Sequence, residues 1–294
     1  MTMMETATIK IVNGLAIYTF GSAAANGEPI FFMPGPHRFQ RVGLRSADAL
    51  ITLLVALNRC VITFDPPGSG KSTRPAHLSM EEMHDCTTEV LRELDIAEDH
   101  PIDMIGHSMG GYVLVGYVID HPQQVKRLIL VGTGRGGGDY SKAKGSLANS
   151  SHPSFWKMVL YGILHIVIPR LGPQKLMLNF MERQSFVNQE LVEQQPVTWK
   201  DWMFHPRGKE GRTDWHYVAR RINYRDQLHR ITCPTLVVCG KYDSQFPLSC
   251  SIELAQTIPN ATLKIFEHSG HYPFIEEPDK FQDVVKKFLT YVES

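Results

Sequence analysis

The chain has 294 residues, of which 43% are hydrophobic, and its 30 lysines and arginines are balanced by 30 aspartates and glutamates. This composition is typical of an ordinary globular protein and excludes disorder of the whole chain. A net charge of zero provides no excess of positive charge for binding nucleic acid or an anionic membrane. Small uncharged molecules are therefore the favoured ligands.

Two segments bear on cellular location. Residues Met1 to Ile11 have no basic region followed by an apolar stretch and a small-residue cleavage site, which a signal peptide requires. The longest apolar run, Met158 to Ile168, is well short of the ~18 residues needed to cross a bilayer. We therefore expect a cytoplasmic protein without a membrane span.

The residue types that bind metals or nucleotides lack the required spacing. None of the five cysteines lies in a C-x-x-C motif, so we expect buried free thiols. Gly70-Lys71-Ser72 resembles the end of a phosphate-binding loop, but the position five residues before Gly70 is Asp65 rather than glycine. We predict no metal and no cofactor. The histidines outside the site described below are interpreted as surface or packing residues; they include His107, His121 and His152.

The first predicted elements are strands. Residues Thr8 to Tyr18 carry Asn13-Gly14 between two alternating segments, which predicts an antiparallel hairpin. Six further segments are short, apolar and bounded by Gly, Pro or Asp, which is typical of buried strands. They are Ile30 to Met33, Cys60 to Phe64, Ile102 to Ile105, Val125 to Val131, Thr235 to Cys239 and Ala261 to Phe266.

Helical patterns lie between these strands. Ser79 to Leu94 opens on Ser79-x-x-Glu82, a capping box, and a second helix is predicted from Gly110 to Asp120, just before Pro122. Alternation of strand and helix indicates an α/β fold with a parallel sheet. From about Gly134 to Ile222 the pattern becomes helical throughout. We predict a core formed by residues 1–134 and 223–294, with residues 135–222 inserted as a helical cap.

Gly106-His-Ser-Met-Gly110 follows a predicted strand and precedes a predicted helix. A G-x-S-x-G sequence in this setting forms a tight turn that lifts the serine hydroxyl above the sheet. The helix that follows favours negative charge at its N-terminus. Ser108 is therefore the candidate nucleophile.

A serine nucleophile needs a base, and the base needs an acid that orients it. With this type of turn, the acid and then the histidine follow the serine along the chain. Asp243 follows the strand that ends at Cys239 and is the leading acid, with Asp226 and Glu267 as alternatives. The leading base comes after the next strand and is His271, with His268 as its competitor.

Three segments together resemble the signatures of the α/β-hydrolase superfamily: Gly106-His-Ser-Met-Gly-Gly111, Gly240-Lys-Tyr-Asp243 and Ser269-Gly-His-Tyr-Pro-Phe-Ile-Glu-Glu-Pro278. The resemblance covers nearly the whole chain except the cap. It implies an eight-stranded, mostly parallel sheet with helices on both faces and an inserted helical cap. Asp65-Pro-Pro-Gly-Ser-Gly-Lys-Ser72 also resembles a segment of proline iminopeptidases and related esterases.

The oxyanion hole of such a hydrolase needs two backbone N–H donors. The residue after the nucleophile, Met109, can supply one. The usual position of the second donor aligns with Pro36, which has no N–H group. The sequence leaves Gly35 and His37 as candidates for that donor.

The predicted cap suits an apolar substrate because it contains all four tryptophans: Trp156, Trp199, Trp202 and Trp215. We predict a serine esterase that cleaves carboxylic esters of small apolar substrates. The alternatives are an aminopeptidase or amidase of the proline iminopeptidase type, hydrolysis of a C–C bond or a lactone, and a ligand-binding protein with little or no turnover. The sequence does not indicate an oligomeric state.

Overall fold

A computed structural model describes most of the predicted core and a small part of the predicted cap. The described residues are 7–21, 28–33, 45–77, 79–96, 100–136, 185–193, 218 and 221–290. Gly35, Pro36, His37, His152, the run Met158 to Ile168 and the four tryptophans lie outside these ranges. The division into a core and a cap at residues 135 and 222 stays a prediction.

The described strands form one eight-stranded sheet with the order β1-β2-β4-β3-β5-β6-β7-β8. The strands are β1 Thr8–Val12, β2 Leu15–Phe20, β3 Pro29–Met33, β4 Cys60–Phe64, β5 Ile102–His107, β6 Val125–Val131, β7 Thr235–Gly240 and β8 Ala261–Phe266. The β1-β2 and β2-β4 pairs are antiparallel, and every other pair is parallel. The predicted mostly parallel eight-stranded sheet is confirmed.

The opening hairpin forms where Asn-Gly predicted it. Asn13 and Gly14 have φ values of 47° and 77°, the left-handed backbone that a two-residue hairpin turn requires. The register pairs Val12 with Leu15, directly across the turn.

Helices cover both faces of the sheet. The described helices are α1 Arg45–Ala56, α2 Met80–Glu93, α3 Met109–Asp120, α4 Gln189–Glu193, α5 Leu248–Thr257, α6 Pro273–Glu276 and α7 Pro278–Thr290. Side chains of α2, α3 and α5 pack in one apolar cluster, and those of α1 and α7 pack in a second. Strand β6 supplies Leu128 and Leu130 to the first cluster and Ile129 and Val131 to the second. This alternation is the period of a strand buried on both faces.

The start of α2 is fixed by Ser79, whose Oγ accepts a hydrogen bond of 3.0 Å from the backbone N–H of Glu82. The Glu82 carboxylate accepts from the backbone N–H of His77 at 2.8 Å. Within the described ranges, no helix is long and apolar enough to span a membrane.

The topology brings three loops to one edge of the sheet. Strands β5, β7 and β8 run parallel, so their carboxyl ends meet at the same side. Ser108 follows β5, Asp243 follows β7 and His271 follows β8.

Candidate active site

Ser108 lies at a strained turn between β5 and α3. Its φ of 56° and ψ of −127° are unusual for a residue with a side chain. Thr133 fixes the turn by donating a hydrogen bond of 2.6 Å from its Oγ1 to the Ser108 carbonyl. A Cβ atom at Gly106 would lie 2.7 Å from the Gly110 carbonyl oxygen. The turn therefore requires glycine at that position, as a G-x-S-x-G elbow does.

The Asp243 carboxylate is held by the backbone of its own loop. Its Oδ1 accepts hydrogen bonds from the N–H groups of Gln245 at 2.8 Å and Phe246 at 2.9 Å. Its Oδ2 lies 2.8 Å from Nδ1 of His271. Asp243 is 3% exposed and His271 is 1% exposed, so this pair is shielded from solvent.

The contact with Asp243 sets the tautomer of His271. A carboxylate only accepts hydrogen bonds, so Nδ1 of the neutral imidazole carries the proton and Nε2 carries the lone pair. The ring stacks on Phe246, with centroids 5.9 Å apart and an interplanar angle of 14°. An imidazole held in this state can accept a proton through Nε2.

His107, the neighbour of Ser108 in the chain, also packs against the His271 ring, with centroids 4.6 Å apart and an interplanar angle of 45°. Its Nε2 lies 2.9 Å from the carbonyl oxygen of His271 and must donate, because a carbonyl oxygen only accepts. Burial holds the pKa of His107 well below its ordinary value, and the nearby His271 lowers this pKa further. His107 is thus a neutral donor that connects the serine turn to the histidine loop.

Comparison with known proteins agrees with this architecture. Residues 43–278 match the family model of the alpha/beta hydrolase fold. The chain belongs to this family.

Two proteins that are similar to this α/β-hydrolase in sequence are named for different activities. It is 30% identical over 242 residues to a 2-hydroxy-6-oxononadienedioate/2-hydroxy-6-oxononatrienedioate hydrolase of Cupriavidus pinatubonensis, covering 80% of this chain and 78% of the relative. It is 23% identical over 298 residues to a proline iminopeptidase of Heyndrickxia coagulans, covering 97% and 98%. An α/β fold family hydrolase from Bacillus anthracis superposes with a TM-score of 0.73 at 23% identity, over 96% of this chain and 99% of that one.

The alternative site residues of this α/β-hydrolase have other partners. His268 is exposed, and its backbone N–H donates to Glu277 at 3.1 Å. Glu267 is exposed and pairs with Lys241 at 2.6 Å. Asp226 is exposed in the 3₁₀ helix Arg225–Arg230. The carboxylate bonded to His271 is therefore that of Asp243.

Among the oxyanion-hole candidates, only Met109 lies in the described ranges. It is the first residue of α3, where the backbone N–H has no acceptor within the helix. It remains the predicted first donor. The candidates for the second donor, Gly35 and His37, lie outside the described residues.

The free thiols of this α/β-hydrolase are poor candidates for a nucleophile. All five cysteines are free; Cys60, Cys86 and Cys239 are buried, whereas Cys233 and Cys250 are partly exposed. Burial raises the pKa of Cys250 to about 12 and that of Cys239 to about 11. Such thiols remain protonated and unreactive near neutral pH.

Sequence reasoning missed four residues that support the site. His107 was interpreted as a surface or packing residue; it is a buried packing residue, and it also bonds to the His271 backbone. Ser185, Gln245 and Glu276 form a network around the same loops. The positions of His107 and Glu276, in segments that resemble the family signatures, were the signals that could have identified them.

Proposed function

We propose that this α/β-hydrolase cleaves carboxylic esters of small apolar substrates through an acyl-enzyme. Ser108 is the nucleophile, His271 the general base and Asp243 the acid. The observation that carries the proposal is the buried pair of His271 and Asp243, 2.8 Å apart, beside the strained turn of Ser108.

The residues have complementary roles in the proposed reaction. His271 takes the proton of the Ser108 hydroxyl through Nε2 as the oxygen attacks the ester carbonyl. Asp243 stabilises the imidazolium that forms, and the Met109 N–H stabilises the oxyanion. His271 then gives the proton to the departing alcohol. A water molecule activated by the same histidine hydrolyses the acyl-enzyme and restores Ser108.

A second candidate is hydrolysis of a C–C bond beside a carbonyl group. It is supported by the 30% identity to the nonadienedioate hydrolase. A dioate has two carboxylates, and a site for it needs cations. Arg135, at the start of the predicted cap, already contacts Glu253 at 2.9 Å and Asn223 at 2.7 Å. Because this arginine already has partners, it gives no support for a doubly charged substrate, and the ester remains our first choice.

The deciding measurement is the initial rate of p-nitrophenyl acetate hydrolysis near pH 8 by the wild type and by Ser108→Ala. We expect the rate above buffer background to disappear in the variant, because no other described side chain replaces the nucleophile. Equal rates in the two proteins would refute the proposal. A panel with an aminoacyl p-nitroanilide and a 2-hydroxy-6-oxo-dienedioate, at equal enzyme concentration, then ranks the three substrate classes by kcat/KM.

A further inference from the structure

The segment Ser185–Asn188, a described part of the predicted cap, is bonded directly to both loops of the acid-base pair. The carbonyl oxygen of Ser185 accepts a hydrogen bond of 2.7 Å from the backbone N–H of His271. Its Oγ accepts one of 2.7 Å from Nε2 of Gln245, in the Asp243 loop. Phe186 stacks on Tyr272, with centroids 4.8 Å apart. The segment therefore bridges the acid loop and the base loop.

Glu276, at the end of α6, joins the same segment to the histidine loop. Its Oε1 accepts from the backbone N–H groups of Val187 at 2.6 Å and Asn188 at 3.0 Å. Its Oε2 accepts from the backbone N–H of Gly270 at 2.6 Å. Burial raises the pKa of Glu276 above its ordinary value, although the three N–H groups lower it. Burial thus removes part of the water around this carboxylate, and the three N–H groups offset the cost of that desolvation.

We propose that Glu276 is a positioning residue that ties the Ser185–Asn188 segment to the Gly270–His271 backbone and thereby sets the orientation of His271. This inference rests on the proposed function, because it assigns His271 as the base. The N–H groups of Gly270 and His271 are both fixed by this arrangement, one by Glu276 and the other by Ser185. The seating of the cap segment and the aim of the imidazole are therefore coupled.

The arrangement requires a carboxylate rather than an amide. Three N–H donors face the two oxygens of Glu276, and a glutamine has one oxygen and one NH₂ group. In Glu276→Gln the NH₂ group must face an N–H donor, either that of Gly270 or those of Val187 and Asn188. Each choice breaks one side of the link.

The neighbouring residue provides a matched control. The Oε2 of Glu277 accepts from both the His268 N–H at 3.1 Å and the Ser269 Oγ, whereas Oε1 accepts, among the described residues, only from the exposed Lys280, whose Nζ is 3.4 Å away. A glutamine oxygen can replace Oε2, and the exposed Lys280 can turn into solvent, away from the NH₂ group that replaces Oε1. Glu277→Gln makes the same chemical change one residue away and should leave the link intact.

The experiment measures kcat per active site, with the active serine titrated by a phosphonylating reagent, for the wild type, E276Q and E277Q. A displacement of about 1 Å in a catalytic group can reduce the rate about a hundredfold. We expect kcat of E276Q to fall at least about tenfold, with KM within about threefold, and E277Q to match the wild type. Equal kcat values for E276Q and the wild type, or equal losses in both variants, would overturn the proposal.

Amide hydrogen exchange tests the link without using activity. In E276Q the N–H of Gly270, or those of Val187 and Asn188, should exchange at least about tenfold faster than in the wild type and in E277Q. Unchanged exchange would refute the link. If Ser108→Ala hydrolyses esters as fast as the wild type, the proposed function fails, and exchange still decides whether Glu276 fixes this backbone.

Glu276→Asp keeps the test decisive if E276Q does not fold. Aspartate retains the charge and both oxygens but withdraws them by about 1.5 Å, the length of one C–C bond. We expect a smaller loss of kcat and faster exchange at the same N–H groups. Wild-type values for both in E276D would contradict the proposed role.

Discussion

Replacing Asp243 by asparagine tests how the proposed acid controls the tautomer of the proposed base, His271. The two backbone N–H groups that point at Oδ1, those of Gln245 and Phe246, select the orientation of the new amide. They require an oxygen, so the amide NH₂ must face Nδ1 of His271. That nitrogen then has to accept, which moves the imidazole proton to Nε2. A histidine in this tautomer cannot take the proton of Ser108.

We expect Asp243→Asn to reduce kcat for p-nitrophenyl acetate by about ten-thousand-fold, as an enforced wrong tautomer does in a serine triad. This factor corresponds to about 5 kcal/mol of transition-state stabilisation. The melting temperature should change little, because the two N–H groups keep their acceptor. Asp243→Ala should also lose activity, and it should lose about 1 to 3 kcal/mol of stability because the buried N–H of Phe246 is left without its acceptor.

Glu267→Gln is the control, because Glu267 was an alternative acid and forms an exposed pair with Lys241. Its kcat should stay within about twofold of the wild type, since exposed ion pairs contribute little. If Asp243→Asn retained more than a tenth of the wild-type kcat, the assignment of Asp243 would be wrong. A large fall in its melting temperature would contradict the tautomer as the cause of the lost activity.

Two further predictions concern stability. His107 stays neutral in the fold, whereas its pKa in the unfolded chain is near the ordinary 6.5. The unfolded state therefore binds up to one more proton as the pH falls below 6.5, and the free energy of unfolding decreases with a slope that approaches about 1.4 kcal/mol per pH unit. In His107→Gln, whose amide can still donate to the His271 carbonyl, the loss between pH 6.5 and 5.5 in urea unfolding should be about 1 kcal/mol smaller, because the unfolded histidine is only half protonated at pH 6.5. Equal losses would contradict the buried neutral state. Ser79→Ala removes the acceptor of the Glu82 N–H and should lower the free energy of unfolding by about 1 kcal/mol, which a thermal melt at pH 7 detects as a shift of about 2 to 4 °C.

The sequence predicted correctly those elements that depend on a short stretch of neighbouring residues. The pair Asn13-Gly14 favours the left-handed backbone of a hairpin turn. The apolar run Val125–Val131 has the length of a buried strand and is too short for a typical helix. Ser108, Asp243 and His271 were selected because each follows a predicted strand and because they occur in the order serine, acid, histidine.

Helix α1, Arg45–Ala56, was not predicted. Its apolar residues follow each other too closely to show one face clearly, and a buried strand begins at Cys60 soon after its end. A short apolar run of this kind is ambiguous between a buried helix and a buried strand. Contacts of this segment with β4, and with α6 and α7, which are distant in the chain, favour the helical form.

Contacts between distant residues were also beyond sequence reasoning. His107 bonds to a carbonyl 164 residues away, and Glu276 reaches back 89 residues to Val187. Neither contact has a local pattern. The first depends on the parallel sheet placing the carboxyl ends of β5 and β8 on one side, and the second depends on how a segment of the predicted cap lies against the histidine loop. The residues were visible in the sequence, but their partners were not.

The loop that follows β7 and carries Asp243 packs directly, backbone against backbone, on the loop that follows β8 and carries His271. A Cβ atom at Gly240, at the end of β7, would lie 2.0 Å from the carbonyl oxygen of Gly270, so the two loops can approach this closely only because the residue is glycine. The sheet therefore brings the backbones of these two loops together before any substrate binds, and such preorganisation is what the proposed triad requires. A segment of the predicted cap, Ser185–Asn188, contacts both loops, directly and through Glu276. A change in the position of Ser185–Asn188 should accordingly alter the orientation of His271 through this link.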